Sequence, residues 1–162
     1  MIQLFLVLHV LGAIFVFGPS LAFPFIASEA RRAPQHGHFA AVLSNSIERK
    51  LVLPGAVVQG ITGVCLILVI GVDLTKPEWR WLVAAIVLYA IAITFAFAVQ
   101  GPAVEKLVEL TSAPPPVMAD GSRPAGPPPE IAAISRKLAR GGQLLSLLIV
   151  LIVILMVTKP GV

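Results

Sequence analysis

Residues 1–27 read MIQLFLVLHVLGAIFVFGPSLAFPFIA, an apolar run that contains one histidine, His9. About 20 apolar residues are enough to cross the ~30 Å hydrocarbon layer of a bilayer. The run has no Lys or Arg before it, and it is longer than the apolar region of a signal peptide. We therefore predict a retained transmembrane helix over residues 2–27.

The rest of the chain supports the same class of protein. Hydrophobic residues make up 57% of the 162 residues and charged residues 12%, about half the charged share of a typical soluble domain. Three further segments are long and apolar enough to span a bilayer, at residues 51–72, 79–100 and 138–158. The sequence predicts an all-α integral membrane protein, a single domain over residues 1–162 that forms an up-down four-helix bundle.

The cations indicate how these spans are oriented. Nine of the twelve Lys and Arg residues lie between spans one and two or between spans three and four, with Arg140 at the start of span four counted with the loop. Cytoplasmic loops are enriched in Lys and Arg, so both termini are expected outside, in a multi-pass protein of the bacterial plasma (inner) membrane. The net charge of +4 is then explained by topology and by lipid headgroups, and nucleic acid is not expected as a partner.

The two cation-rich connections differ in character. Between spans one and two, Phe39, Val42, Leu43 and Ile47 fall on one helical stripe, which predicts a short interfacial helix near residues 38–49 before the chain enters the membrane at Leu51. Between spans three and four, residues 112–129 are rich in proline. Such a segment predicts an extended, mobile cytoplasmic loop.

Inside the predicted spans the polar residues are few. Asp, Glu, Lys and Arg are absent from the middle of every predicted span, which argues against transport driven by intramembrane carboxylates. Gln59 and Thr62 lie three residues apart and share a helix face with Gly55 and Gly63, a pattern typical of close helix packing with interhelical hydrogen bonds. The polar residues of the spans are His9, Gln59, Thr62, Tyr89, Thr94, Gln143 and Ser146.

His9 is the candidate functional residue. It lies roughly 10–12 Å below the outer end of its span, where an imidazole needs a partner. That partner is a hydroxyl such as the one on Tyr89, a backbone carbonyl freed by a kink, or a metal. Cys65 is the one cysteine, so no cysteine-based metal site is expected. His36 and His38 are interpreted as solvated loop residues, and no metal site or catalytic residue is assigned.

Four stretches carry a family resemblance: LHVLGAIFVFGPSLAFP in span one, IERKLVLPGAVVQGITGVCLIL entering span two, WRWL opening span three, and the closing RKLARGGQLLSLLIVLIVILMVTKP. Together they resemble the DUF2269 group of predicted bacterial integral membrane proteins. The chain is more distantly similar to the four-helix superfamily of copper-resistance D proteins and HemJ-type protoporphyrinogen oxidases.

The distant similarity implies b-type haem with His9 as an axial ligand, and it matches Lys159 and Pro160 to a terminal Lys-Pro. The glycine pair, the basic residue and the asparagine of that pattern are missing at residues 17–20, 83–86 and 140–143. As a second strong ligand in or next to a span, the sequence offers only Met156, near the outer surface, and the terminal Lys159. Two functions compete: a structural or accessory subunit docked on a larger respiratory or photosynthetic complex, which we favour over an enzyme, and a small haem-b-binding membrane protein.

Overall fold

The computed structural model describes residues 1–113 and 126–161. Within them the regular structure is helical, and four helical segments are long and apolar enough to cross a membrane: Ile2–Arg32, Pro34–Ile70, Pro77–Ser112 and Pro129–Thr158. The predicted all-α membrane-type fold is therefore confirmed. The proline-rich loop predicted over residues 112–129 lies mostly outside the described residues.

The four segments are built from seven α-helices and four short π or 3₁₀ turns in the described residues. The helices are α1 (Ile2–Ser20), α2 (Phe23–Arg32), α3 (Gly37–Ile47), α4 (Leu53–Ile70), α5 (Arg80–Phe95), α6 (Gly101–Ser112) and α7 (Pro129–Thr158). The 3₁₀ turns are Pro34–His36 and Pro77–Trp79, and the π turns are Glu48–Val52 and Ala96–Gln100.

Two prolines lie in the interior of the second and third segments. Pro54 is the second residue of α4 and Pro102 the second residue of α6. Each follows a five-residue π turn. Proline has no N–H, and its ring crowds the carbonyl four residues earlier, so the wider π turns let both helices pass these points without a break.

A helix is present at the residues predicted to be interfacial, as α3, but it is not a separate element. The helical segment continues from Pro34 through the π turn to Ile70, whereas the sequence suggested that the chain turns into the membrane at Leu51. The hydropathy pattern marks where a span begins, and it carries no signal for a π turn that keeps a helix continuous. Similarly, the third segment extends to Ser112 and the fourth begins at Pro129, beyond the predicted spans.

Helix packing divides the molecule into two pairs that are joined at one end. α1 packs on α4 and α5 packs on α7, while α3 and α7 both pack on α6. α4 and α5 are linked by the Tyr89 hydroxyl, which donates a hydrogen bond to the carbonyl of Ala56. The buried apolar residues are Val16, Ala41, Ala56, Trp81, Leu82, Ala85, Ala103, Val104, Leu148 and Ile152.

A short turn joins the second and third segments. Gly71 ends α4 in the left-handed conformation, with φ of 73°, which a residue with a side chain adopts at a cost. Asp73 Oδ1 then accepts hydrogen bonds from the backbone N–H and hydroxyl of Thr75, at 3.1 and 2.7 Å. These bonds hold the pKa of Asp73 below its usual value. Gly71 thus ends α4, and the Asp73 side chain stabilises the turn that follows it.

The third and fourth segments are joined by a polar contact at the second π turn. Gln100 Nε2 donates a hydrogen bond of 3.1 Å to the carbonyl of Leu138. Gly141 of α7 is buried beside Gln100. A Cβ at Gly141 would press on the Gln100 side chain and would lie 3.2 Å from the Phe95 ring, whereas a Cβ at Gly142 would lie 4.0 Å from Gln100 Nε2.

Adjacent glycines in α7 therefore provide a matched test of this packing. Both Gly141→Ala and Gly142→Ala add helix propensity, but only Gly141→Ala overpacks the contact with Gln100 and Phe95. We expect Gly141→Ala to be about 1–2 kcal/mol less stable than Gly142→Ala, measured as the free energy of unfolding by SDS titration in micelles. Equal stability of the two variants would contradict the packing of α7 on the second π turn.

Candidate functional site

His9 lies on the face of α1 that packs against α4. It is half-buried, and both of its ring nitrogens contact side chains of α4. Nδ1 is 3.0 Å from the hydroxyl oxygen of Thr62. Nε2 is 3.2 Å from the amide nitrogen of Gln59. The imidazole thus bridges the first and second helical segments.

The donors and acceptors in this cluster are mutually consistent. The Thr62 hydroxyl donates to the backbone carbonyl of Gln59 at 3.0 Å, so its oxygen is free to accept from Nδ1–H of His9. Nε2 of His9 then carries a lone pair, which accepts an N–H from the Gln59 amide. The polar ring of His9, Thr62 and Gln59 closes on itself with a neutral imidazole protonated at Nδ1, an assignment inferred from the hydrogen-bond network.

Local sequence places each member of the polar ring. Gln59 and Thr62 are three residues apart and therefore lie on one face of α4. The absence of side chains at two glycines lets α1 and α4 approach closely: a Cβ at Gly12 would lie 2.5 Å from Gln59 Oε1, and one at Gly63 would lie 3.2 Å from His9 Cε1. Glycine at such positions is the usual route to close helix contact in membranes.

One acceptor in the polar ring is left without a partner among the described residues. Gln59 is 5% exposed, and its Oε1 is buried without a hydrogen bond. This oxygen lies against Gly12. A buried polar atom without a partner costs free energy. The Gln59 amide is held in place by its other atom, Nε2, which bonds His9.

The sequence identified the members of the polar ring as polar span residues and left three kinds of partner open for His9: a hydroxyl such as that of Tyr89, a freed backbone carbonyl, or a metal. In the structure Nδ1 contacts the hydroxyl of Thr62, whereas the Tyr89 hydroxyl bonds Ala56. The spacing of Gln59 and Thr62 with Gly63 was the sequence signal for their shared packing face.

The other polar residues named from the sequence lie elsewhere. Thr94 and Gln143 are exposed. His36 is in a 3₁₀ turn, and His38 Nδ1 lies 3.1 Å from the Thr111 hydroxyl oxygen.

Comparison with known proteins gives one match. The family model described as "Predicted integral membrane protein (DUF2269)" matches residues 3–160. The chain belongs to the DUF2269 family. No curated protein and no solved structure matches it significantly. The resemblance read from the sequence is thereby confirmed at the level of the family, and this DUF2269 protein is a multi-pass integral membrane protein.

The surroundings of His9 in the DUF2269 protein do not fit an axial haem ligand. Such a ligand directs a nitrogen lone pair at the iron, and here the Nε2 lone pair faces the Gln59 amide. The edge of the His9 imidazole packs against Gly63 of α4. Of the two other ligands considered, Lys159 places its Nζ 5.9 Å from the centre of the Trp81 ring. The described residues bring no three His, Cys, Asp or Glu side chains together as a metal site.

Two glycines of α1 test the close contact at the polar ring. Gly12→Ala would force the Gln59 amide away from His9, whereas the Cβ of Gly18→Ala meets no atom within 4 Å. Losing one buried hydrogen bond costs about 1 kcal/mol. We expect Gly12→Ala of the DUF2269 protein to lose about 1 kcal/mol relative to Gly18→Ala in SDS unfolding. A Gly12→Ala variant as stable as Gly18→Ala would contradict the geometry of the polar ring.

Proposed function

We propose that this protein is a structural or accessory membrane subunit that docks through its helix faces on a larger membrane complex, respiratory or photosynthetic in type. The observation that carries the proposal is the closed polar ring. It uses both nitrogens of the one histidine in the predicted spans to join α1 to α4. This is a helix-packing contact within the chain, and it supports a structural rather than a catalytic use of His9.

The outer surface of α1 supports a docking role. Along this helix only Val16 is buried, although the other long helices bury several residues each. A face that packs on a neighbouring protein and a face that meets lipid are both apolar. The exposed large apolar residues of α1 are Ile2, Leu4, Leu6, Val7, Leu8, Val10, Leu11, Ile14 and Phe15. We propose that a partner protein covers part of this face, with a second copy of the chain or lipid alone as the alternatives.

We further propose one domain that forms an up-down four-helix bundle in the bacterial plasma membrane, with both termini outside. The nine-to-three distribution of cations supports this orientation. α3 is proposed to lie at the cytoplasmic interface. Its apolar residues Phe39, Val42 and Leu43 are exposed, as expected of a helix side that rests against the headgroup region.

Cysteine labelling tests the orientation directly. Thr75 lies in the turn between α4 and α5, and Ser112 ends α6. In a Cys65→Ser background, Thr75→Cys should react with a membrane-impermeant maleimide in intact cells, and Ser112→Cys should react only after the cells are opened. The reverse pattern would overturn the proposed orientation, and labelling of both positions in intact cells would overturn the up-down topology.

A single purification distinguishes the accessory role from haem binding. A tagged protein expressed at its native level and extracted in mild detergent is expected to carry a partner at fixed stoichiometry, recovered again when the partner is tagged, with no Soret band. Because glutamine can still donate and accept hydrogen bonds, His9→Gln should retain the complex with at most ~1–2 kcal/mol of stability lost.

Three outcomes decide between the functions. A stoichiometric chromophore that His9→Gln abolishes and the loop variant His36→Gln preserves would establish His9 as a haem ligand and overturn the accessory role. Migration as a homo-oligomer alone would assign the exposed face of α1 to a second copy. A monomer without chromophore in the mildest detergent would contradict both functions.

A further inference from the structure

A lateral groove lies between the second and third helical segments, beside their π turns. Its cavity has a volume of about 440 Å³, within the range of sites that hold small molecules. Most of its lining is apolar, and its two charged residues stand at one end. The lining residues are Arg49, Leu53, Pro54, Val57, Phe97, Gly101, Pro102 and Glu105.

The two prolines explain why the groove exists. Pro54 and Pro102 face the same cavity from opposite helices, and each follows a π turn. A π turn inserts an extra residue and displaces the helix beyond it. On one side of the prolines α3 and α6 pack together, and on the other side α4 and α5 are joined by the bond from Tyr89 to Ala56. The groove is the gap between these two contacts.

The charged end of the groove is built from a pair of opposite charges. The guanidinium of Arg49 and the carboxylate of Glu105 form an ion pair between the two helical segments. Their side chains are 59% and 43% exposed. Ion pairs this exposed contribute little to stability. Arg49 and Glu105 can therefore separate, and each can bind an oppositely charged group of a ligand. Arg49 lies two residues before the predicted span of residues 51–72, which places the pair at headgroup depth.

We propose that the groove binds a zwitterionic phospholipid whose headgroup carries a primary amine. One acyl chain lies along the apolar lining, the phosphate accepts hydrogen bonds from the Arg49 guanidinium, and the ammonium donates to the Glu105 carboxylate. Guanidinium is suited to paired hydrogen bonds with phosphate. The site does not depend on the accessory role proposed above, since it uses a different face of the molecule.

The charge pair also discriminates among headgroups. A trimethylated ammonium, as in phosphatidylcholine, has no N–H to donate to Glu105. An uncharged glycerol headgroup, as in phosphatidylglycerol, leaves the Glu105 carboxylate opposite a net negative lipid. A primary-amine headgroup, as in phosphatidylethanolamine, matches both charges and both hydrogen-bonding roles.

Native mass spectrometry of the delipidated full chain, titrated with each of these three lipids in detergent, tests the proposal. We expect phosphatidylethanolamine to bind about tenfold more tightly than the other two, the ratio for one charge-assisted hydrogen bond. Glu105→Gln should remove this preference. Arg49→Gln should weaken phosphatidylethanolamine binding by a similar factor, and Val57→Phe, which fills the groove, should abolish it.

Matched variants elsewhere on the chain control for general effects. Glu29→Gln and Arg32→Gln alter a second exposed ion pair that does not border the groove, and Val58→Phe adds the same ring one residue from Val57 outside the lining. All three should leave lipid binding unchanged. Equal binding of the three lipids, or equal effects of Val58→Phe and Val57→Phe, would overturn the proposal. Because Arg49 and Glu105 are exposed, their glutamine variants keep the test valid if Val57→Phe does not fold.

Discussion

Hydrocarbon offers no hydrogen bonds, so every polar group that enters the membrane must find its partner inside the protein. In this chain that constraint acts on two kinds of group, the few polar side chains of the spans and the backbone carbonyls freed by proline. The His9 side chain obtains its hydrogen-bond partners, Thr62 and Gln59, across the α1–α4 contact. Near Pro54 and Pro102 the backbone changes locally from an α-helix to a π turn.

The same constraint explains which parts of the structure were predictable. A run of 20 or more apolar residues has no alternative to a helix in a bilayer, so the four spans and the all-α fold follow from hydropathy. The extensions of the helices beyond the predicted spans do not, because Gly101–Ser112 and the first turns of α7 contain charged residues. In such sequences helix competes with other conformations on small differences in propensity.

The contacts within the polar ring could not be predicted from the sequence alone. Polarity in a span predicts that His9 needs a partner, and spacing predicts that Gln59 and Thr62 share a face, but which face meets which depends on the rotation of α1 about its axis. That rotation is fixed by Gly12 and Gly63, whose contacts with Gln59 and His9 are made across helices. Tyr89 was named as a hydroxyl that could partner His9, yet its position in a span does not predict that its hydroxyl reaches Ala56.

Pro54 and the polar ring divide the second helical segment into regions with different roles. Between Ala56 and Gly63 the chain forms hydrogen bonds with His9 of α1 on one side and with Tyr89 of α5 on the other. Substitutions there are expected to change how stably the helices pack. Around Pro54 the helix has lost a regular hydrogen bond and borders an open groove whose charged end is held only by an exposed ion pair. A site for a ligand from the bilayer is easier to accommodate at this second region, because occupying it breaks no buried hydrogen bond, whereas a ligand at His9 would first have to displace the amide of Gln59.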